Sequence, residues 1–281
     1  MDVSKFHQLL PLLPYSGNCL SPEESILIET SLNILKNDKN FTKIYFWGKI
    51  LTISGHDYYI AFGFYEDCLR NRQFFYSQNM LNWQNLPKIN ESTYEISLMY
   101  QKMFQGDPES VVEVEMPPEF LLENDRIEQK LGEKSKLKEE DRLACVVQII
   151  SHQTMIVPRG AICNDMKEIV KFNENFQGLT KKEAGSLENY QFYREPVNEY
   201  NFNLLKRENF NYSTDFLDTL DDLVPRNRSF AVTFERDDEK IVVLRSLHWM
   251  GATFLHEIES SLFVFAYFGD GKMNHDLLFM L

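Results

Sequence analysis

Three stretches of this chain carry residue types that do chemistry elsewhere, and each fails on spacing. Gly269-Asp270-Gly271-Lys272 has the glycines and lysine of a phosphate loop, in which backbone N–H groups cradle phosphates. Such a loop needs four residues between its glycines, a Ser or Thr after the Lys, and a helix to follow. Here Met273 follows, and nine residues remain after Lys272. The segment predicts a glycine turn between a strand and the tail. His256-Glu257 begins like a zinc-protease motif, but Ser260 stands where the second His belongs. Asp215, Asp218, Asp221 and Asp222 concentrate carboxylates without the alternation and central Gly of a calcium loop. Phe216, Leu217 and Leu220 fall at helical spacing among them, which predicts a helix with a solvated acidic face opposite a buried one. Cys19, Cys68, Cys145 and Cys163 form no C-x-x-C pair, the six His do not pair at ligand spacing, and no G-x-S-x-G elbow occurs. The sequence therefore nominates no catalytic, cofactor-binding or metal-binding residue and implies no cofactor. A site assembled from distant residues stays open, so an enzyme with a dispersed active site is one alternative. A peptide-binding adaptor is another.

More pointed are charges and aromatics set in apolar runs. Arg245 lies within Val242-Val243-Leu244-Arg245-Ser246-Leu247-His248-Trp249. An unpaired buried charge is costly, so Arg245 calls for a structural partner or one across an interface, and Arg159 and Arg194 invite the same reading. Trp47, Trp83 and Trp249 read as core or interface anchors. The candidate partner-interface set is Phe46, Trp47, Tyr58, Tyr59, Arg245, Trp249 and Phe254.

The elements that must position these residues are α+β, with antiparallel sheets in two β-rich halves and short helices. Ser21-Pro22-Glu23-Glu24 is a capping box with Pro at the first helical position, and Ile28, Leu32 and Leu35 share one face up to Lys36-Asn37. A shorter helix from Val3 to Leu10 stops at Pro11 and Pro14. Lys43 to Ile53, Asp57 to Tyr65 and Gln73 to Ser77 read as an antiparallel meander, with Gly48 and Gly63 marking bulges or close backbone approaches. From Glu119 to Asp141, 13 of 23 residues are charged, which predicts a linker or solvated helix. The division is thus 1–116, 117–141 and 142–281, or one continuous domain. Leu143 to Ile150 and Thr154 to Val157 are predicted to form a hairpin. Helices follow at Thr180 to Ser186, Asn198 to Arg207 and Thr214 to Asp222, then strands at Ser229 to Arg236, Ile241 to Ser246 and Leu262 to Phe268. The turn Asp237-Asp238-Glu239 joins the first two of those strands.

Composition narrows the classes. The 281 residues are 43% hydrophobic and 25% charged, ordinary for a folded domain. A net charge of −13 repels a phosphate backbone and disfavours anionic membranes, so neither nucleic acid nor membrane is an expected partner. No apolar run reaches the ~18 residues of a membrane span, and the N-terminus lacks the basic-then-apolar build of a signal peptide. Scattered cysteines predict free thiols in the reducing cytoplasm.

Several blocks also resemble a known family. Phe46-Trp47-Gly48-Lys49-Ile50 with Asp57-Tyr58-Tyr59-Ile60-Ala61 is similar to the early block of the radial spoke head protein 9 family. Gly106-Asp107-Pro108, Val157-Pro158-Arg159-Gly160-Ala161, Phe176 with Gly178-Leu179, Arg194-Glu195-Pro196-Val197 and Asp215-Phe216 continue in the same order. Val242 to Leu247, then Trp249, Gly251 and Thr253-Phe254, resemble the late block, and Asp276-Leu277 with Phe279-Met280-Leu281 the chain end. Residues 1–19 and 117–141 match poorly in detail. The resemblance implies a non-enzymatic structural subunit of the cytoskeleton, in the axoneme of motile cilia and flagella. Its implied partners are radial spoke head 4/6-type proteins and other spoke head subunits, with transient contact to central-pair projections. The implied role is relaying mechanical signals between the central pair and the dynein arms.

Overall fold

A strand that is apolar at every position needs cover on both faces, and several strands of this chain have that composition. The computed structural model describes residues 1–115, 119–123, 126–130, 134–165, 169–197, 208–223, 228–235 and 239–280. The chain opens with a 3-10 turn at Val3–Lys5, helix α1 (Phe6–Leu9) and a 3-10 run at Leu10–Ser16, closed by Gly17 at φ 91. The predicted first helix therefore continues past Pro11 and Pro14 in the tighter 3-10 form. Helix α2 (Pro22–Lys39) starts at the predicted capping box: Ser21 Oγ accepts from Glu24 N, and Glu24 accepts from Ser21 N. It ends at left-handed Asn40, one turn beyond the predicted stop.

The predicted meander is present as β1 (Lys43–Ile50), β2 (Tyr58–Phe64) and β3 (Gln73–Ser77), and a short strand that was not predicted, β4 (Gln84–Asn85), extends it. After α3 (Glu91–Met99) come β5 (Val111–Glu115), the hairpin β6 (Glu119–Glu123) and β7 (Arg126–Lys130), and β8 (Lys134–Lys138), which pairs back onto β5. The charged stretch read as a linker or solvated helix thus holds strands and the start of the next helix.

Helix α4 (Glu139–Thr154) corrects the predicted hairpin at Leu143 to Ile150. Packing on several sides buries Leu143, Val146, Val147, Ile149 and Ile150 together. The run therefore lacks the polar face that reveals a surface helix, and its β-branched residues gave a strand signal that tertiary packing overrides. Glu139, Glu140 and Asp141 occupy its first turn, where the helix dipole favours them. Next come β9 (Ile156–Pro158), β10 (Ile162–Asn164), β11 (Val170–Phe172), α5 (Lys181–Ala184) with its Thr180–Glu183 capping box, and β12 (Tyr190–Phe192). The predicted helix at Thr214 to Asp222 is only a 3-10 turn at Leu220–Asp222. The predicted helix at Asn198 to Arg207, the first two residues of the turn Asp237-Asp238-Glu239, and Leu281 lie outside the described residues. The chain closes with β13 (Phe230–Phe234), β14 (Ile241–Ser246), β15 (Ala252–Glu257), β16 (Phe263–Gly269) and α6 (Leu277–Met280). Strand β15 carries no sequence prediction of its own.

Both meanders join one eight-stranded sheet, ordered β13-β14-β15-β16-β1-β2-β3-β4. Every neighbouring pair is antiparallel except β16 with β1, which run parallel. Gly48 makes that seam. It sits at a register shift in β1, has φ 148, and a Cβ there would lie 2.1 Å from the Tyr267 carbonyl oxygen. One face, with Phe46, Tyr59, Val243 and Leu255, packs under the N-terminal turns and α2. The other, with Trp47, Tyr58, Phe254 and Tyr267, packs against α4 and the segment carrying β9 to β12. The Met1 amino group donates to Phe46 O at 2.6 Å inside the first layer, and burial pulls it down to about 5.

Candidate functional site

The seven candidate interface residues do not form one surface. Phe46, Trp47, Tyr58, Tyr59, Trp249 and Phe254 are buried in this chain's own core, divided between the two sheet faces. Their apolar area is already covered by the fold, so the hot-spot composition marked the core and not a patch open to partners. Trp47 Nε1 donates to Ser151 Oγ at 2.9 Å, and Trp249 Nε1 to Gln153 Oε1 at 2.7 Å, tying central strand β1 and the turn between β14 and β15 to the last turn of α4. Trp83, partly buried, donates to Ser31 Oγ of α2. Arg245 finds its partners within the chain, donating to Thr233 Oγ1 at 3.0 Å and to the Tyr15 carbonyl at 2.9 Å.

The other polar residues singled out above also act as internal supports. Arg159 pairs with Asp215 through two hydrogen bonds of 2.6 Å, and Arg194 donates to Asp218 Oδ2 at 2.6 Å. Asp215, Asp218 and Asp221 are buried, which corrects the expectation of a solvated acidic face. Without a continuous helix the stretch folds Asp215 and Asp218 inward to meet the two arginines. Three separated sequence blocks, 157–161, 194–197 and 215–218, are thereby brought together.

Glu139 is a second hub. It is 4% exposed, and it accepts from Tyr58 Oη at 2.8 Å, Gln105 N at 2.9 Å and Gly106 N at 2.7 Å. Gly106 is required there: its φ is 97, and a Cβ would lie 2.2 Å from Ser54 Oγ. Arg142, one turn along α4, donates to the Lys102 carbonyl and lies 4.1 Å from the Phe104 ring centroid. Burial draws its pKa down. His256 is fully buried, accepts at Nε2 from Leu179 N at 3.2 Å, and approaches Leu262 O through Nδ1 at 3.1 Å. Burial pushes its pKa down to about 4, so the ring is neutral at physiological pH. Burial likewise pushes the Cys68 thiol up to about 12 and raises the Tyr58 phenol, with Glu139 adding to the latter. These shifts hold the thiol and the phenol protonated, the reverse of what activates them as nucleophiles. The Gly269–Lys272 segment is the turn expected: Gly271 N donates to Tyr267 Oη at 2.9 Å, and a Cβ on Gly271 would meet the Phe104 ring at 2.8 Å. No group of three His, Cys, Asp or Glu placed to hold a metal occurs among the described residues. No helix among them is long and apolar enough to cross a membrane.

Sequence reasoning missed the exposed apolar side chains of α3. Ile96 anchors this helix in a small cluster with Val114 and Leu137, while Tyr94, Leu98 and Met99 face solvent. The spacing of Tyr94 and Leu98 was a usable signal, because residues four apart share a helix face.

Comparison with known proteins gives full-length matches. The chain is 38% identical over 283 residues to the radial spoke head protein 9 homolog of Danio rerio, covering all of both chains. It is 36% identical to the homolog of Homo sapiens and 32% identical to that of Xenopus tropicalis, again across the whole of each. No family model matches.

Proposed function

Because the chain belongs to the radial spoke head protein 9 family, we propose that it is a non-enzymatic structural subunit of the radial spoke head in the axoneme of motile cilia and flagella. There it scaffolds the head that relays mechanical signals between central pair and dynein arms. Full-length similarity carries this reading, and the fold supports it. Arg159, Arg194, Asp215, Asp218 and Glu139 are held in internal pairs, and a sheet covered on both faces makes a stiff block.

Neighbouring head subunits, including the 4/6-type proteins, meet this chain through exposed apolar side chains such as those of α3. Contact with the moving central apparatus is brief and electrostatic, which the net charge of −13 favours over a sticky apolar patch. Raising salt should then change head–central-pair contact in isolated axonemes, and an unchanged contact would count against that step.

The test of the whole reading is fractionation of flagella carrying a tagged copy. Retention with salt-extracted spoke complexes is expected. Release with the soluble matrix as a monomer that turns over a substrate would favour the enzyme alternative, and release in company with a bound peptide the adaptor.

A further inference from the structure

Arg72 lies in the loop joining β2 and β3. Its Nε donates to the Cys68 carbonyl at 2.8 Å, and its guanidinium lies 3.7 Å from the centroid of the Tyr193 ring. Its Nη2 is buried at the back of the side chain and has no hydrogen-bond partner among the described residues. The side chain is therefore held firmly by an aromatic face while part of its donor capacity goes unused. That arrangement is costly unless something anionic visits.

A cleft of about 1030 Å³ opens beside Arg72, walled by residues 69–74, 85–89, α4 and 193–195. Arg70, Arg72, Lys88 and Arg194 line it; Arg194 is paired with buried Asp218 behind the wall and Arg70 with Glu195, the one carboxylate among the described lining residues, so Arg72 and Lys88 carry the excess. This local excess of cations stands out in a chain with 29 basic and 42 acidic residues. The Arg70–Glu195 pair, at 2.6 Å, has both side chains more than half exposed, so solvent weakens it and an incoming carboxylate can replace Glu195. Leu86 and Ile89 contribute apolar surface to the same wall.

The dimensions decide the kind of ligand. The cleft is at the upper limit of the ~300–1,000 Å³ typical of small-molecule sites. Its cations come from separate chain segments and are interleaved with aliphatic side chains. A lone phosphate wants donors converging on one point. We propose that the cleft receives an extended acidic segment of a partner protein, its carboxylates pairing with Arg72 and Lys88 and its apolar side chains lying on Leu86 and Ile89. The scaffold reading is needed only for the partner to be a neighbour in the head; the binding itself is tested apart from the fractionation above.

The experiment is fluorescence anisotropy with the purified full-length chain and a labelled peptide of alternating Glu and Leu. A Gln-Leu peptide is the neutral counterpart, and inorganic phosphate is the competitor. Saturable binding of the Glu-Leu peptide is expected, weakened about tenfold or more by Arg72→Gln and by Lys88→Glu. Lys39→Glu, the same charge change at the end of α2, should leave it unaltered. Lys88 is exposed, so its variant keeps the test valid if Arg72→Gln fails to fold. The proposal is overturned by absent or non-saturable binding, by equal affinity for the Gln-Leu peptide, or by equal weakening in Lys39→Glu. Displacement of the peptide by phosphate at the peptide's own concentration would also overturn it, and would mark a small-anion site instead.

Discussion

Glu139 shows how much a single buried carboxylate organises. Its oxygens meet one phenol and two backbone N–H groups at 2.7 to 2.9 Å, joining α4, β2 and the turn after Phe104. Glu139→Ala leaves those donors unsatisfied and should cost about 3–5 kcal/mol in urea denaturation. Tyr58→Phe removes one donor to a charged acceptor and should cost about 1.5–3 kcal/mol. Equal, small losses in both variants would contradict the hub. His256 supplies a pH-dependent term. In the unfolded chain its imidazole takes a proton near 6.5, and in the fold near 4, so the unfolded state binds more protons between those values. Stability from the neutral ring is complete above 6.5 and is lost as pH falls toward 4, by roughly 3 kcal/mol. His256→Gln should therefore lose less stability between pH 7 and pH 4 than the parent; superimposable profiles would refute the assignment. At this scale the sequence was informative about chemistry and silent about direction. The apolar run around Arg245 called for a partner, and the half-buried guanidinium donates to Thr233 and Tyr15, but nothing local showed that Asp215 and Asp218 turn inward, because their arginines lie 56 and 24 residues away.

Among the elements, the β16·β1 seam is the most exposed to backbone error. Gly48→Ala would drive a methyl group into the Tyr267 carbonyl at a positive φ, costing on the order of 3 kcal/mol or more. Gly55→Ala, at φ 80 with nothing within 4 Å of the added carbon, should cost only about 1 kcal/mol. Thermal or urea denaturation of the pair checks this, and a ranking in the other order would contradict the seam. The elements legible in advance were those with local punctuation: the helix opened by the Ser21 capping box, the short helix beginning at Thr180, and the meander with its turn at Ser54-Gly55. Helix α4 was not, since burial on several sides removes the periodicity that distinguishes helix from strand. Its start was further obscured because Glu139, Glu140 and Asp141 continue a charged run.

Across the molecule, the parallel seam makes the two meanders one sheet, and no local pattern announces a pairing between residues 48 and 267. Aromatic residues nominated as interface anchors became the core for the same reason: composition cannot distinguish a surface covered by a partner from one covered by the chain itself. The partner surface is then sought among exposed apolar groups. Leu98→Asp on α3 should leave unfolding stability within about 0.5 kcal/mol yet release the protein from salt-extracted spoke complexes. Retention equal to the parent would remove α3 from the interface. The scaffold role itself is tested most directly by electron cryotomography of axonemes from cells lacking this protein. Spokes whose heads are missing or collapsed, with restoration of head density by the intact gene, are predicted. Complete heads of normal shape in its absence would contradict the account.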